Sequence, residues 1–159
     1  MTREELTKAV AEHPFTAGFR PEHIEKLAAM ASNVRFAKNE LIFREGDSSS
    51  FFYLLLSGTA TLEITAAGRT LRIATLAGGE ELGWSSLTPE HTKQFCARTL
   101  EEVQALAFDG ARLLHACEED CAFGFALSRA LLKVVAGRLH ATRIQLLDVY
   151  KPAAKPAQV

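Results

Sequence analysis

The chain has 159 residues, of which 48% are apolar and 23% charged, and its formal net charge is -1. That length suits one compact domain with a core of its own, and the composition is that of a folded chain and not of a disordered one. A near-neutral balance removes any global attraction for nucleic acid or another polyanion, so such binding has to be argued locally.

The N-terminal residues Met1 to Val10 carry Arg3, Glu4, Glu5 and Lys8 and do not read as a signal peptide, and no run has the apolar length of a membrane span. A cytoplasmic address without membrane association is the expectation. Cys96, Cys117 and Cys121 are too few and odd in number for a disulfide framework and read as free thiols. Thr2 and Glu5 have capping-box spacing ahead of Leu6, Ala9 and Val10, which predicts a first helix ended by His13-Pro14. A second short helix is predicted after Arg20-Pro21, with Ile24, Leu27, Ala28 and Ala31 on one face.

From about Val34 to Asp109 the pattern is one of short strands between turn signals. Leu41 to Phe43, Phe51 to Leu56, Thr59 to Thr65, Arg69 to Leu76, Phe95 to Ala97 and Val103 to Phe108 are separated at Glu45-Gly46-Asp47, Ser57-Gly58, Ala66-Ala67-Gly68 and Gly78-Gly79. Ala60, Leu62 and Ile64 alternate with Thr59, Thr61, Glu63 and Thr65, the pattern of an antiparallel strand with one buried and one wet face. The fold class expected is mainly β, an antiparallel β-roll or jelly roll flanked by N-terminal helices and a long C-terminal helix. Helical periodicity takes over at residue 110 and runs to about 150, with Leu131, Val135, Leu139, Thr142, Leu146 and Val149 forming an apolar seam. Residues 1–150 are thus expected as one domain, with the roll over 34–109 and a disordered polar tail over 151–159. The seam predicts a homodimer.

A resemblance becomes specific along this order of motifs: Glu40-Leu-Ile-Phe-Arg-Glu-Gly-Asp47, Phe51-Phe-Tyr-Leu54, Ser57-Gly58, Gly79-Glu-Glu-Leu-Gly83, Glu102-Val103, and Arg138-Leu139 through Thr142. Together they resemble a cyclic nucleotide-binding domain, most similar to the sensor half of the catabolite-activator type of regulator. The resemblance implies a phosphate cradle made by a strand and a short helical turn, here Gly79, Leu82, Gly83, Trp84, Ser85 and Ser86. In that family a glutamate usually holds the ribose and an arginine the phosphate. Here Trp84 stands at the glutamate position, and His91, with Thr92 and Lys93 beside it, falls at the arginine position.

Trp84 reads either as a stacking platform for a ligand or as a plug that fills a vacated pocket. Ser85 and Ser86 read either as anion ligands or as caps of the helical turn. Thr142, with Arg143 beside it, matches the place where relatives present a hydroxyl to the base, and a threonine in a helix seam is also an ordinary interface residue. Arg98, by strand alternation from Phe95, falls on the solvated face. Regulators of this type usually continue into a winged helix-turn-helix, so direct DNA binding is not expected from these residues.

Catalysis is not expected. His13, His23, His91, His115 and His140 are scattered without the paired spacing of a cupin-like metal site, and Cys117 and Cys121 lack further ligands, so neither metal nor cofactor is assigned. Three functions follow in order: a stand-alone sensor that couples occupancy of the roll by cyclic AMP or cyclic GMP to its C-terminal helix; a ligand-free domain used for dimerisation or docking to a protein partner; and a metal-dependent enzyme on a jelly-roll scaffold.

Overall fold

Thr2 caps the first helix, α1 (Arg3–Glu12), as its spacing to Glu5 predicts. The Glu5 N–H donates to the Thr2 hydroxyl at 3.2 Å and the Thr2 N–H donates to Glu5 Oε2 at 2.7 Å. His13 ends α1 and opens a 3-10 turn, Pro14–Thr16. Pro21 then starts α2 (Pro21–Ala28), which buries Ile24, Leu27 and Ala28, whereas Ala31 lies past its end. The computed structural model describes residues 1–88 and 92–149, and of Ala66, Asp148 and Val149 the backbone alone. The 151–159 tail therefore lies outside the described residues.

Eight strands follow: β1 (Ser32–Phe36), β2 (Leu41–Phe43), β3 (Phe51–Ser57), β4 (Thr59–Ala66), β5 (Arg69–Ala77), β6 (Glu81–Leu82), β7 (Cys96–Thr99) and β8 (Val103–Asp109). They pair antiparallel throughout, in two four-stranded sheets with the orders β1-β8-β3-β6 and β2-β7-β4-β5. This is the jelly-roll-like fold the turn spacing predicts, with helices at both ends. Sequence reading missed β1 and β6 and began β7 one residue early and ended it two early, because β6 has two residues and β1 offers only two apolar positions, Val34 and Phe36.

The apolar run in β3 reflects burial on both faces. Leu55, with Val103 and Ala105 of β8, faces Leu62, Leu76 and Ala97 of the other sheet and forms the core inside the roll. Phe52 and Leu54, with Leu106 and Phe108, point the other way and meet Val10, Phe15, Ile24 and Leu27 from the N-terminal helices. Thr61, expected on the wet face of β4, is fully buried. It donates to Glu63 Oε1 at 2.9 Å and to the Arg98 carbonyl at 3.3 Å, and Glu63 pairs with Arg98 at 3.8 Å, so a polar cluster covers this face of the sheet. Gly58 turns β3 into β4 with φ +83°, and a Cβ there would meet the Glu102 carbonyl oxygen at 2.2 Å.

His13 fastens the N-terminal segment to the roll. Its Nδ1 accepts from the Phe15 N–H at 3.1 Å, which leaves the proton on Nε2, and Nε2 donates to the Leu55 carbonyl at 3.1 Å. Burial pushes its pKa below 6.5, partly opposed by the Leu55 and Glu80 carbonyls. Between 6.5 and the lowered folded value the unfolded chain binds more protons, so stability falls as pH falls through that window. Thermal melts from pH 7 to pH 5 are expected to show a steeper loss for the wild type than for His13→Gln; equal slopes would assign the acid sensitivity elsewhere.

Asp109 caps α3 (Gly110–Glu119), accepting from the Arg112 N–H at 3.0 Å, and α4 (Cys121–Val149) is the last element among the described residues. The first turns of α4 bury Phe123 and Leu127, and Leu131 and Val134 pack partly against the same core. One member of the predicted seam is corrected here: Leu131 lies four residues after Leu127 and so shares its core-facing side. The exposed stripe instead contains Leu132, Val135, Leu139 and Leu146, which are 69%, 37%, 50% and 53% exposed, with Thr142 between the last two. Their spacing of three and four residues is that of a coiled-coil seam. The Val149 side chain lies outside the described residues. Among the described residues no helix is long and apolar enough to cross a membrane.

Candidate functional site

A cavity of about 240 Å³ opens inside the roll at the end of β6, walled by Phe43, Leu62, Leu82, Trp84 and Phe95. Its rim is built by the segment that leaves β6: Gly83 adopts φ +81° and leads into a 3-10 turn, Trp84–Leu87. The first N–H groups of such a turn have no acceptor within it and face outward for other partners. Ser85, Thr92 and Lys93 complete the same wall.

Lys93 supplies the cation. Two backbone bonds hold it against the Glu45-Gly46-Asp47 turn, from the Gly46 N–H to its carbonyl at 2.8 Å and from its own N–H to the Asp47 carbonyl at 2.9 Å. The side chain is 4% exposed; Nζ lies 4.3 Å from the centre of the Phe43 ring and donates to the Phe51 carbonyl at 3.3 Å. A Cβ at Gly83 would fall 2.9 Å from this Nζ and 2.6 Å from the Phe51 oxygen, so only glycine leaves the ammonium its place. Burial pushes the Lys93 pKa down from 10.5 to about 8, with Asp47 partly opposing.

Arg138 of α4 reaches the same cavity. Its guanidinium donates to the Glu81 carbonyl and lies 3.5 Å from the Glu81 carboxylate. Burial raises the Glu81 carboxyl pKa, which Arg138 opposes, and burial lowers that of Arg138, which Glu81 opposes. The pair thus ties the long helix to β6, one residue before Leu82.

The sequence model of the cyclic nucleotide-binding domain matches residues 33–120, more than half of the chain. The chain belongs to that family. The N-terminal domain of a transcriptional regulator from Streptomyces coelicolor is similar at 25% identity and a TM-score of 0.68, over 94% of this chain and 99% of that one. A cyclic nucleotide-binding domain from Methylobacillus flagellatus shares the fold at 15% identity and a TM-score of 0.80, over 96% and 86% of the two chains. The catabolite activator protein of Thermus thermophilus does so at 24% identity and 0.71, and the match spans 86% of this chain and 62% of that protein. No curated protein matches the chain.

In this cyclic nucleotide-binding domain the predicted cradle residues separate into two groups. Leu82, Gly83, Trp84, Ser85, Thr92 and Lys93 line one cavity. Gly79 sits at the turn before β6 against Pro14, outside the cavity lining. Ser86 is 1% exposed and packs on Gly110, and its Oγ has no hydrogen-bond partner among the described residues. Neither serine caps the helical turn, since the Ser85 hydroxyl instead meets that of Ser49 at 2.8 Å. Trp84 lines the cavity and also packs partly against the helical core. His91 lies outside the described residues. Thr142 and Arg143 are on the exposed side of α4, and the Thr142 hydroxyl donates to the Arg138 carbonyl at 2.9 Å. Sequence reading gives Arg138 only as part of the Arg138-Leu139 motif, without a contact or a role. The missed signal is its position four residues after Val134, where a lone charge continues a core-facing row.

Proposed function

We propose that this cyclic nucleotide-binding domain is a sensor module in which a cyclic nucleotide occupies the cavity beside Gly83, and that occupancy is passed to α4 through Arg138. The observation that carries this reading is the Arg138–Glu81 contact, because one side chain of the long helix both lines the cavity and holds the strand that forms its rim. A ligand shifts a conformational equilibrium only through contacts that differ between the two states. An anion near Lys93 and Arg138 would compete with Glu81 for the guanidinium and so change the hold of the roll on the helix. The Trp84 ring offers an apolar wall for a base, and Lys93 stands in for the arginine usual in the family, as a point charge without the bidentate fork.

Calorimetry with cyclic AMP and cyclic GMP tests this reading. Wild type is expected to bind one of them, and Arg138→Met to bind it at least tenfold more weakly, the usual order for losing a charged hydrogen bond. Heat from neither nucleotide would contradict the reading. A second reading is favoured by a separate observation, the exposed apolar stripe of α4: the domain self-associates through Leu132, Val135, Leu139 and Leu146, and Lys93 permanently occupies the cradle. Restored binding in Trp84→Glu with none in wild type would support that alternative.

A further inference from the structure

Helix α4 presents three distinct sides. One side, with Phe123, Leu127 and Leu131, enters the core, and a second is the exposed leucine stripe. The third carries small residues, Ala122, Ala126, Ala130, Gly137 and Ala141, and lines a groove of about 1020 Å³ on the outside of the roll. The far wall of the groove is Phe15 and Phe19 of the N-terminal segment, and Leu76 of β5 joins them. Lys133 and Val135, like Gly137 and Leu139, are two positions apart, which is about 200° around a helix of 3.6 residues per turn. A partner covering the leucine stripe would therefore leave the Gly137 end of the groove open, while Arg129, three residues before Leu132, borders both faces.

Its charges are asymmetric. Arg129 and Lys133 sit one turn apart on the groove side of α4, an arrangement of like charges that is unfavourable by itself. Among the described residues neither has a carboxylate within 4.0 Å; the Arg129 guanidinium lies 5.9 Å from the Phe125 ring centre. Arg20 joins them on the lining, its Nη2 donating to His23 Nε2 at 2.8 Å and its Nη1 pairing with exposed Glu22 at 3.1 Å. The acidic residues of the groove, Glu80 and Glu81, belong to the loop before β6 and to β6 itself, and Glu81 is engaged by Arg138.

We infer that this groove is a second binding site, for a single-chain carboxylate amphiphile of the alkanoate type, with the acyl chain along the small-residue side of α4 and the head group at Arg129 and Lys133. The volume is at the upper end of small-ligand cavities, about 300–1,000 Å³. An apolar chain with one anionic end matches apolar walls bearing two cations without a carboxylate partner among the described residues, Arg129 and Lys133.

Calorimetry of the purified chain with octanoate, decanoate and dodecanoate, each below its micelle concentration, tests the site. Each added methylene should tighten binding about fourfold, the value of one buried CH₂. Dodecyltrimethylammonium, with the same chain and the opposite charge, should bind at least tenfold more weakly than dodecanoate. Arg129→Glu with Lys133→Glu should weaken decanoate at least tenfold with the helical circular dichroism unchanged, since both positions are exposed. Gly137→Leu is the independent check: a Cβ there meets nothing within 4 Å, so the side chain enters open space and should reduce binding without moving a charge. No binding of the monomeric alkanoates, affinity independent of chain length, equal binding of the cationic amphiphile, or full binding by both variants would each overturn the site. So would binding confined to phosphatidylglycerol vesicles, which would make the cations a membrane-facing patch.

Discussion

Where the exposed stripe of α4 pairs two copies, replacing Leu139 and Leu146 together by glutamate is expected to halve the mass measured by light scattering. Both leucines are about half exposed in the isolated chain, and they lie seven residues apart on a stripe continued by Leu132 and Val135. Covering each half-exposed leucine contributes about 1 kcal/mol, and a symmetric pairing counts every one twice. Glutamates at the same places face one another across the seam and would have to be buried or repelled. Leu131→Glu should behave differently, because that side chain packs on the helical core: it should lower the melting temperature first. A double variant with unchanged mass would remove the seam as an interface.

Replacing Lys93 by methionine should make the protein more stable while removing its capacity to hold a phosphate. The buried ammonium, at a pKa of about 8 against 10.5 unfolded, carries a desolvation cost of roughly 3 kcal/mol near neutrality. The ring contact with Phe43 and the bond to Phe51 return part of that, about 1–2 kcal/mol. Methionine fills a similar volume without the charge, so the expected gain is about 1–2 kcal/mol, a few degrees in Tm for a chain of this size. The pH profile carries the signature. Because the folded pKa lies below the unfolded one, wild-type stability rises between about pH 8 and 10.5, and Lys93→Met should lack that rise. Cyclic nucleotide affinity should fall at least tenfold in the same variant. Stability gained where binding is lost would mark Lys93 as a residue kept for a ligand at a cost to the fold. A destabilised variant would instead make the lysine a structural tie.

The roll was legible because its information is local. Turn signals at Glu45-Gly46-Asp47, Ser57-Gly58 and Ala67-Gly68, and the alternation in Thr59–Thr65, depend on neighbours in the chain, and the structure realises each of them as a turn or strand. The ordered motifs from Glu40 to Gly83 likewise pointed to the family that the match over residues 33–120 shows. What escaped was set by distant contacts. Thr61 is buried because Arg98 of the adjacent β7, held by Glu63 of its own strand, covers it, and no period-two pattern encodes that cross-strand contact. Leu131 and Leu132 are both leucine, and only the docking of Phe123 and Leu127 decides which of them faces the core. In the cradle the serines are alike in sequence, yet Ser85 lines the cavity and Ser86 turns to Gly110, a division made by α3 packing on the helical turn. Arg138 was visible as a charge but not as a contact, since Glu81 lies 57 residues earlier in the chain.

Coupling of the cavity to α4 through Arg138 should be visible in amide hydrogen exchange with and without saturating cyclic AMP or cyclic GMP, whichever binds. Changed protection is expected at Glu81–Ser85 and along α4 from Val134 to Leu146 in wild type, and a change confined to the cavity wall in Arg138→Met. Binding that leaves exchange in α4 unchanged, or changes it equally in both proteins, would contradict that coupling.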